Sequence, residues 1–166
     1  MRKGGKMKGF AKMVMSIRPA VFILLIIMFF LPFAEIKCDS TVITEIKGIE
    51  FVTGKEIKSP SEKKVETEKK MDPDIYAIIA FAAAVIGLLL SFISNKFVNI
   101  LNGLISFTGM VMLLLMKNNL DTQVINSEES FGLITISYKF GFWIAFALFL
   151  GYGLVTLSVE LTKGKR

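Results

Sequence analysis

Ile75-Tyr76-Ala77-Ile78-Ile79-Ala80-Phe81-Ala82-Ala83-Ala84-Val85-Ile86-Gly87-Leu88-Leu89-Leu90-Ser91-Phe92-Ile93 runs for 19 residues without a charge. A helix of roughly 20 apolar residues covers a bilayer core of about 30 Å, so this stretch reads as a membrane span. Only Ser94-Asn95-Lys96 separates it from a second such run, 97–116, and two more lie at 17–33 and 140–161. Four runs in 166 residues occupy about half the chain and leave no room for a soluble domain of ordinary size. The expected fold is a single integral membrane domain over 1–166. It comprises a four-transmembrane-helix bundle, a basic segment at 1–16, and outer loops at 34–74 and 117–139.

Charge supplies the orientation. The segments before 17–33, between the middle runs and after 140–161, together with Arg18 and Glu160 at the near edges of those runs, carry 10 basic residues and one acidic, a net +9. The other two connections carry 10 basic and 13 acidic residues, a net −3, which together give the overall +6. Lysine and arginine accumulate on the cytoplasmic side of membrane spans, so both termini are expected there and both loops outside. The same distribution makes the basic excess a membrane-orientation signal with a role at anionic lipid heads, and argues against a nucleic-acid partner. The first run follows a basic stretch, as a signal peptide would, but no small-x-small site follows Leu31-Pro32-Phe33-Ala34-Glu35. It is therefore expected to be retained as an anchor. Within 1–16, Phe10 and Val14 fall on one helical face with Ile17. That fits an interfacial helix as well as it fits a basic tail.

The loops carry β signals. Thr41-Val42-Ile43-Thr44-Glu45-Ile46 is rich in β-branched residues, and Phe51-Val52-Thr53 follows Gly48. Asp39-Ser40 suits a tight turn between Glu35–Cys38 and Thr41–Ile46. Ser59 to Asp72 is polar and mixed in charge, and reads as a solvated linker or frayed helix. In the second loop Asn118-Asn119 is expected to break the helix, and 121–126 reads as a strand. Phe131–Tyr138 alternates, with Ile134 and Ile136 on one face. Strands from both loops are expected to pair as one small antiparallel sheet of four or five strands, because an isolated hairpin is marginal in water.

Catalytic chemistry finds little to stand on. Histidine is absent and Cys38 is the lone cysteine, which removes the commonest general base and any multi-cysteine metal site. Glu35, Asp39, Glu45 and Glu50 are flanked by lysines and read as alternating charge on an exposed strand face. Polar residues expected to be buried are Ser91, Asn95, Asn99, Asn102, Ser106 and Thr108, either capping helices or bonding between them. Trp143 and Tyr138 suit the aromatic belt at the membrane surface. Small residues at helix-packing spacing, Ala80, Ala84 and Gly87 in one run and Gly141, Ala145 and Gly151 in another, let backbones approach closely. No cofactor and no metal are expected.

Two motifs, Phe30-Leu31-Pro32-Phe33 with Cys38 and Gly48-Ile49-Glu50-Phe51-Val52-Thr53-Gly54, resemble the first outer loop of small bacterial four-pass proteins without an assigned activity. Tyr138-Lys139-Phe140-Gly141-Phe142-Trp143 resembles their entry into the last span. The layout also resembles claudins, without their first-loop tryptophan and cysteine pair. The resulting expectation is a non-enzymatic multi-pass protein of the cell membrane. It would assemble with itself or with another membrane protein through Thr41, Val42, Ile43, Thr44, Phe51, Ile134 and Ile136, with membrane lipids around its helices. The alternative is a small channel or carrier formed by the helices.

Overall fold

The computed structural model describes residues 17–38, 41–57, 69–93, 95–126 and 134–164. In chain order these form α1 (Ile17–Phe29), β1 (Pro32–Cys38), β2 (Thr41–Lys47), α2 (Gly48–Thr53), β3 (Lys55–Ile57), β4 (Lys69–Met71), α3 (Ile75–Ser91), α4 (Lys96–Asn126), β5 (Ile134–Tyr138) and α5 (Phe140–Gly164).

The fold is not a four-helix transmembrane bundle. Among the described residues two helices, within Lys96–Thr122 and Phe140–Val159, are long and apolar enough to cross a membrane; the described part of α1, and α3, are shorter. The 17 residues of α3 rise only about 26 Å at 1.5 Å each. The first run closes at Phe29 rather than residue 33 because Pro32 has no N–H and disfavours helix at the residue before it. Phe30 and Leu31 already bond three residues back, to Ile27 and Met28 at 3.0 Å, and Pro32 opens a strand. The four-pass, claudin-like layout falls with the span count.

The sheet is smaller than expected and divided. β1 is the centre of a three-stranded antiparallel sheet ordered β2-β1-β5, while β3 and β4 form a separate pair. Ala34 stands opposite Ile46 and Tyr138, and Ile36 opposite Thr44 and Ile136, so one face of the sheet is largely apolar and rests on the helix ends. Residues 48–53 are helix, not strand. Glu50 accepts from the Lys47 N–H at 2.8 Å, and Phe51 is buried beneath the turn. Tertiary burial here overrides β propensity. Gly54 follows with φ of +82°, a conformation that favours glycine, and a side chain there would also meet the Met71 carbonyl at 2.9 Å.

Asn118-Asn119 does not break α4, and 121–126 is its last turn and a half rather than a strand. Lys117 pairs with Asp121 at 2.7 Å across one turn, and Asn119 donates to Asp74 at 3.1 Å. Thr122 bonds back to the Asn118 carbonyl at 2.8 Å. Lys69–Met71, expected in a linker, is β4; residues 58–68 lie outside the described residues, as do 1–16 and the turn at 39–40.

Packing runs through aromatic and small residues together. Phe29 meets Phe33 and Phe81 with ring centroids 5.0 and 5.2 Å apart, and Phe22 meets Tyr152 edge-on at 5.0 Å. A Cβ at Gly87 would fall inside the Phe22 ring, so this glycine sets how close α1 and α3 come. Leucine, isoleucine and phenylalanine side chains outside this core stay exposed, among them Ile27, Leu89, Phe97, Leu104, Phe107 and Leu154.

Candidate functional site

Polar groups gather at two ends of the helices, and they are treated differently. At the sheet end, Glu35 is only 2% exposed, so it does not stand on an exposed strand face as its sequence pattern suggested. Lys139 contacts its carboxylate directly and Lys37 stands 3.6 Å away. The Lys139 bond, then the charges of Lys139 and Lys37, hold the Glu35 carboxyl below its usual range against the opposing effect of burial. Nearby, the Tyr138 hydroxyl donates to Asp121 at 2.7 Å and lies 3.1 Å from the Lys117 carbonyl. The Lys117 ammonium sits 4.9 Å over the Tyr138 ring. Burial and the Asp121 bond push the Tyr138 phenol up. Asp74 caps α3 by accepting from Tyr76 and Ala77 N–H groups at 2.8 and 3.0 Å, and its own N–H bonds the Phe51 carbonyl at 2.8 Å.

At the opposite end lies a buried polar cluster between α1, α4 and α5. Asn99, Asn102 and Ser106 recur at spacings of three and four residues, so they share one face of α4. Each is 1% exposed or less. Thr156 and Tyr152, one turn apart on α5, face them: Gly103 and Ser106 are the nearest neighbours of Gly153, and Thr156 lies against Gly103. Arg18, 3% exposed, reaches in from α1 and donates through Nη1 to Asn99 Oδ1. Arg18 Nε, both side-chain polar atoms of Asn102, Ser106 Oγ, Tyr152 Oη and Thr156 Oγ1 are buried without a hydrogen-bond partner. Buried polar groups are ordinarily paired, so this concentration of unpaired ones is unusual and makes the cluster the candidate site.

The cluster is closed above. Beyond Ser106 the same face of α4 continues as Met110, Leu113 and Met116, all buried and apolar. Beside it, an apolar groove of about 350 Å³ opens between α1 and α5, walled by Ile17, Val21, Leu148, Gly151, Tyr152 and Val155.

The residues expected to bind partners scatter. Thr41, Val42, Ile43 and Thr44 lie together on β2, an edge strand, with the Val42 side chain 48% exposed. Phe51 is in the core and cannot face a partner, and Ile136 is half-buried against that core. Ile134 lies in β5, two strands away from β2; its side chain, like those of Thr41, Ile43 and Cys38, is outside the described residues. Ala80, Ala84, Gly87 and Ala145 are buried, Gly141 is buried against Leu31, Pro32 and Phe33 where the chain enters β1, but Gly151 is exposed and has nothing within 4 Å of where a Cβ would stand. Ser91 is buried like the asparagines, whereas Asn95 and Thr108 are exposed. Arg18 and Thr156 were not expected in the site. Arg18 lies just inside an apolar run, which is the available signal that its charge is carried inward.

Among the described residues no group of three or more His, Cys, Asp or Glu side chains is placed to hold a metal ion. No protein-family model matches the chain, and no curated protein or solved structure matches it.

Proposed function

We propose that the protein is a non-enzymatic membrane protein that assembles with a second copy or another membrane protein through the free edge of β2. Two helices long enough to cross a bilayer, α4 and α5, together with the exposed apolar side chains on the helices, support placement in a membrane. Their loop-distal ends, at Lys96 and Lys163, carry the basic excess and belong on the cytoplasmic side. The sheet then lies outside.

The observation that carries the assembly reading is the asymmetry of β2. At its Lys47 end the backbone is engaged: Glu50 accepts from Lys47 N–H, and Lys55 donates to the Glu45 carbonyl at 2.8 Å. Along Thr41–Thr44 the backbone has no partner other than β1 among the described residues. An exposed edge is a template for another strand. A channel through the helices is the weaker reading, because the polar face of α4 stops at Met110.

The test is gentle-detergent extraction followed by intact-complex mass. Wild type should run as a complex, and Val42→Lys, which puts a charge on the edge without touching the core, should shift it to monomer. A wild-type monomer across detergents and nanodiscs, or an intact complex in Val42→Lys, contradicts the proposal.

A further inference from the structure

We infer that the buried polar cluster and the groove beside it form one binding site for an anionic phospholipid, the phosphate held at Arg18 and an acyl chain lying between α1 and α5. The inference rests on membrane placement but not on the β2 edge.

The cluster is rich in unused donors. Arg18 Nε, the Asn102 amide and the hydroxyls of Tyr152 and Thr156 all have an N–H or O–H to give and no acceptor to receive it. Among the described side chains no carboxylate pairs with Arg18. A buried cation with no carboxylate partner among the described side chains, set among unpaired donors, is complementary to a phosphate, whose oxygens only accept and whose charge Arg binds best among side chains.

The groove supplies the second half. Tyr152 belongs to both parts: its ring walls the groove while its hydroxyl is among the unpaired buried groups. Ile17 and Val21 flank Arg18 on α1 and form the facing wall. The walls are otherwise apolar, and Gly151 leaves the floor open. A free anion would use the cluster and leave the groove idle; a lipid uses both. Their position is also suitable, at the basic ends of α4 and α5 where anionic heads concentrate.

The experiment uses the full chain reconstituted in nanodiscs of phosphatidylcholine and phosphatidylglycerol in equal parts, then released for native mass spectrometry of retained lipids. Wild type should keep phosphatidylglycerol in preference to phosphatidylcholine. Arg18→Gln should lower that retention by about tenfold, the scale of a lost charge-assisted bond. Gly151→Leu, whose Cβ would have no neighbour within 4 Å and whose side chain would occupy the groove, should lower it by at least about fivefold while leaving the melting temperature unchanged. Because Gly151→Leu does not disturb the core, it keeps the test valid if Arg18→Gln fails to fold. Equal retention of the two lipids, or unchanged retention in Gly151→Leu, overturns the proposal. So does protection by inorganic phosphate equal to that by the lipid. Glu160 lies four residues beyond Thr156 in α5. Phosphatidylglycerol kept by Glu160→Gln but not by wild type would mean that the chain supplies its own counter-charge, and also overturns it. The β2 variant Val42→Lys should retain lipid as wild type does, so loss of assembly and loss of the lipid site are read separately.

Discussion

The two ends of the helices hold similar polar inventories and spend them differently. At the sheet end Glu35 has two lysines, Tyr138 has Asp121 and a carbonyl, and both oxygens of Asp74 are used. At the other end Arg18, Asn102, Ser106, Tyr152 and Thr156 are as deeply buried and leave atoms unpaired. Each unpaired buried group costs on the order of 1–3 kcal/mol. Among the described residues the sheet end is the better satisfied of the two, with Glu35 met by Lys139, and on the lipid-site proposal the cluster is the end left available for recognition.

The largest expected effect tests the scaffold that joins the ends. Gly87→Leu should destabilise by about 3 kcal/mol or more, because the side chain must displace Phe22 and with it the contact to Tyr152. Thermal melts against Gly151→Leu, which should be neutral, check it. If both variants behave alike, the two small-residue positions are not distinct. Next, Asp74→Ala removes the α3 cap and its bond to Asn119, and should cost about 1–2 kcal/mol in denaturant unfolding. At the other end the sign should reverse. Ser106→Ala deletes an unpaired hydroxyl and should raise stability by up to about 1 kcal/mol.

Among the described residues acid should act at the sheet end, where the Glu35 and Asp121 carboxyls are both held below their ordinary range. The Glu35 carboxyl is held below its ordinary value of 4.5 in the folded protein, so its contribution is complete above that value and is lost as pH falls through the lower, folded one. Melts across that range should show a decline in wild type that Glu35→Gln flattens. A decline unchanged by Glu35→Gln would place acid sensitivity elsewhere.

Much of the local structure could be read from sequence because it is written locally. The alternation in β2 and β5 gives strands, and the asparagine spacing gives a polar helix face. What could not be read depends on residues far apart in the chain. The continuation of α4 through Asn118-Asn119 needs Asp74 and Tyr138, 45 and 21 residues from their partners. The helix at 48–53 needs the pocket that buries Phe51. Apolar runs overstate helix length where Pro32 turns the chain into a strand, which shortens the first expected span, while α3 falls short at its own 17 residues. In the site, Asn99, Asn102 and Ser106 were legible. Arg18 was not, because an arginine at the edge of a basic segment gives the same orientation signal whether its side chain faces water or turns inward.

A matched pair of tyrosines tests the contrast most directly. Tyr138→Phe and Tyr152→Phe each delete one hydroxyl, the first paired with Asp121 and the second unpaired. In the same detergent and denaturant, Tyr138→Phe should lose about 1–2 kcal/mol. Tyr152→Phe should match or exceed wild-type stability while retaining less phosphatidylglycerol. A Tyr152→Phe protein destabilised as much as Tyr138→Phe, with its lipid unchanged, would contradict the account.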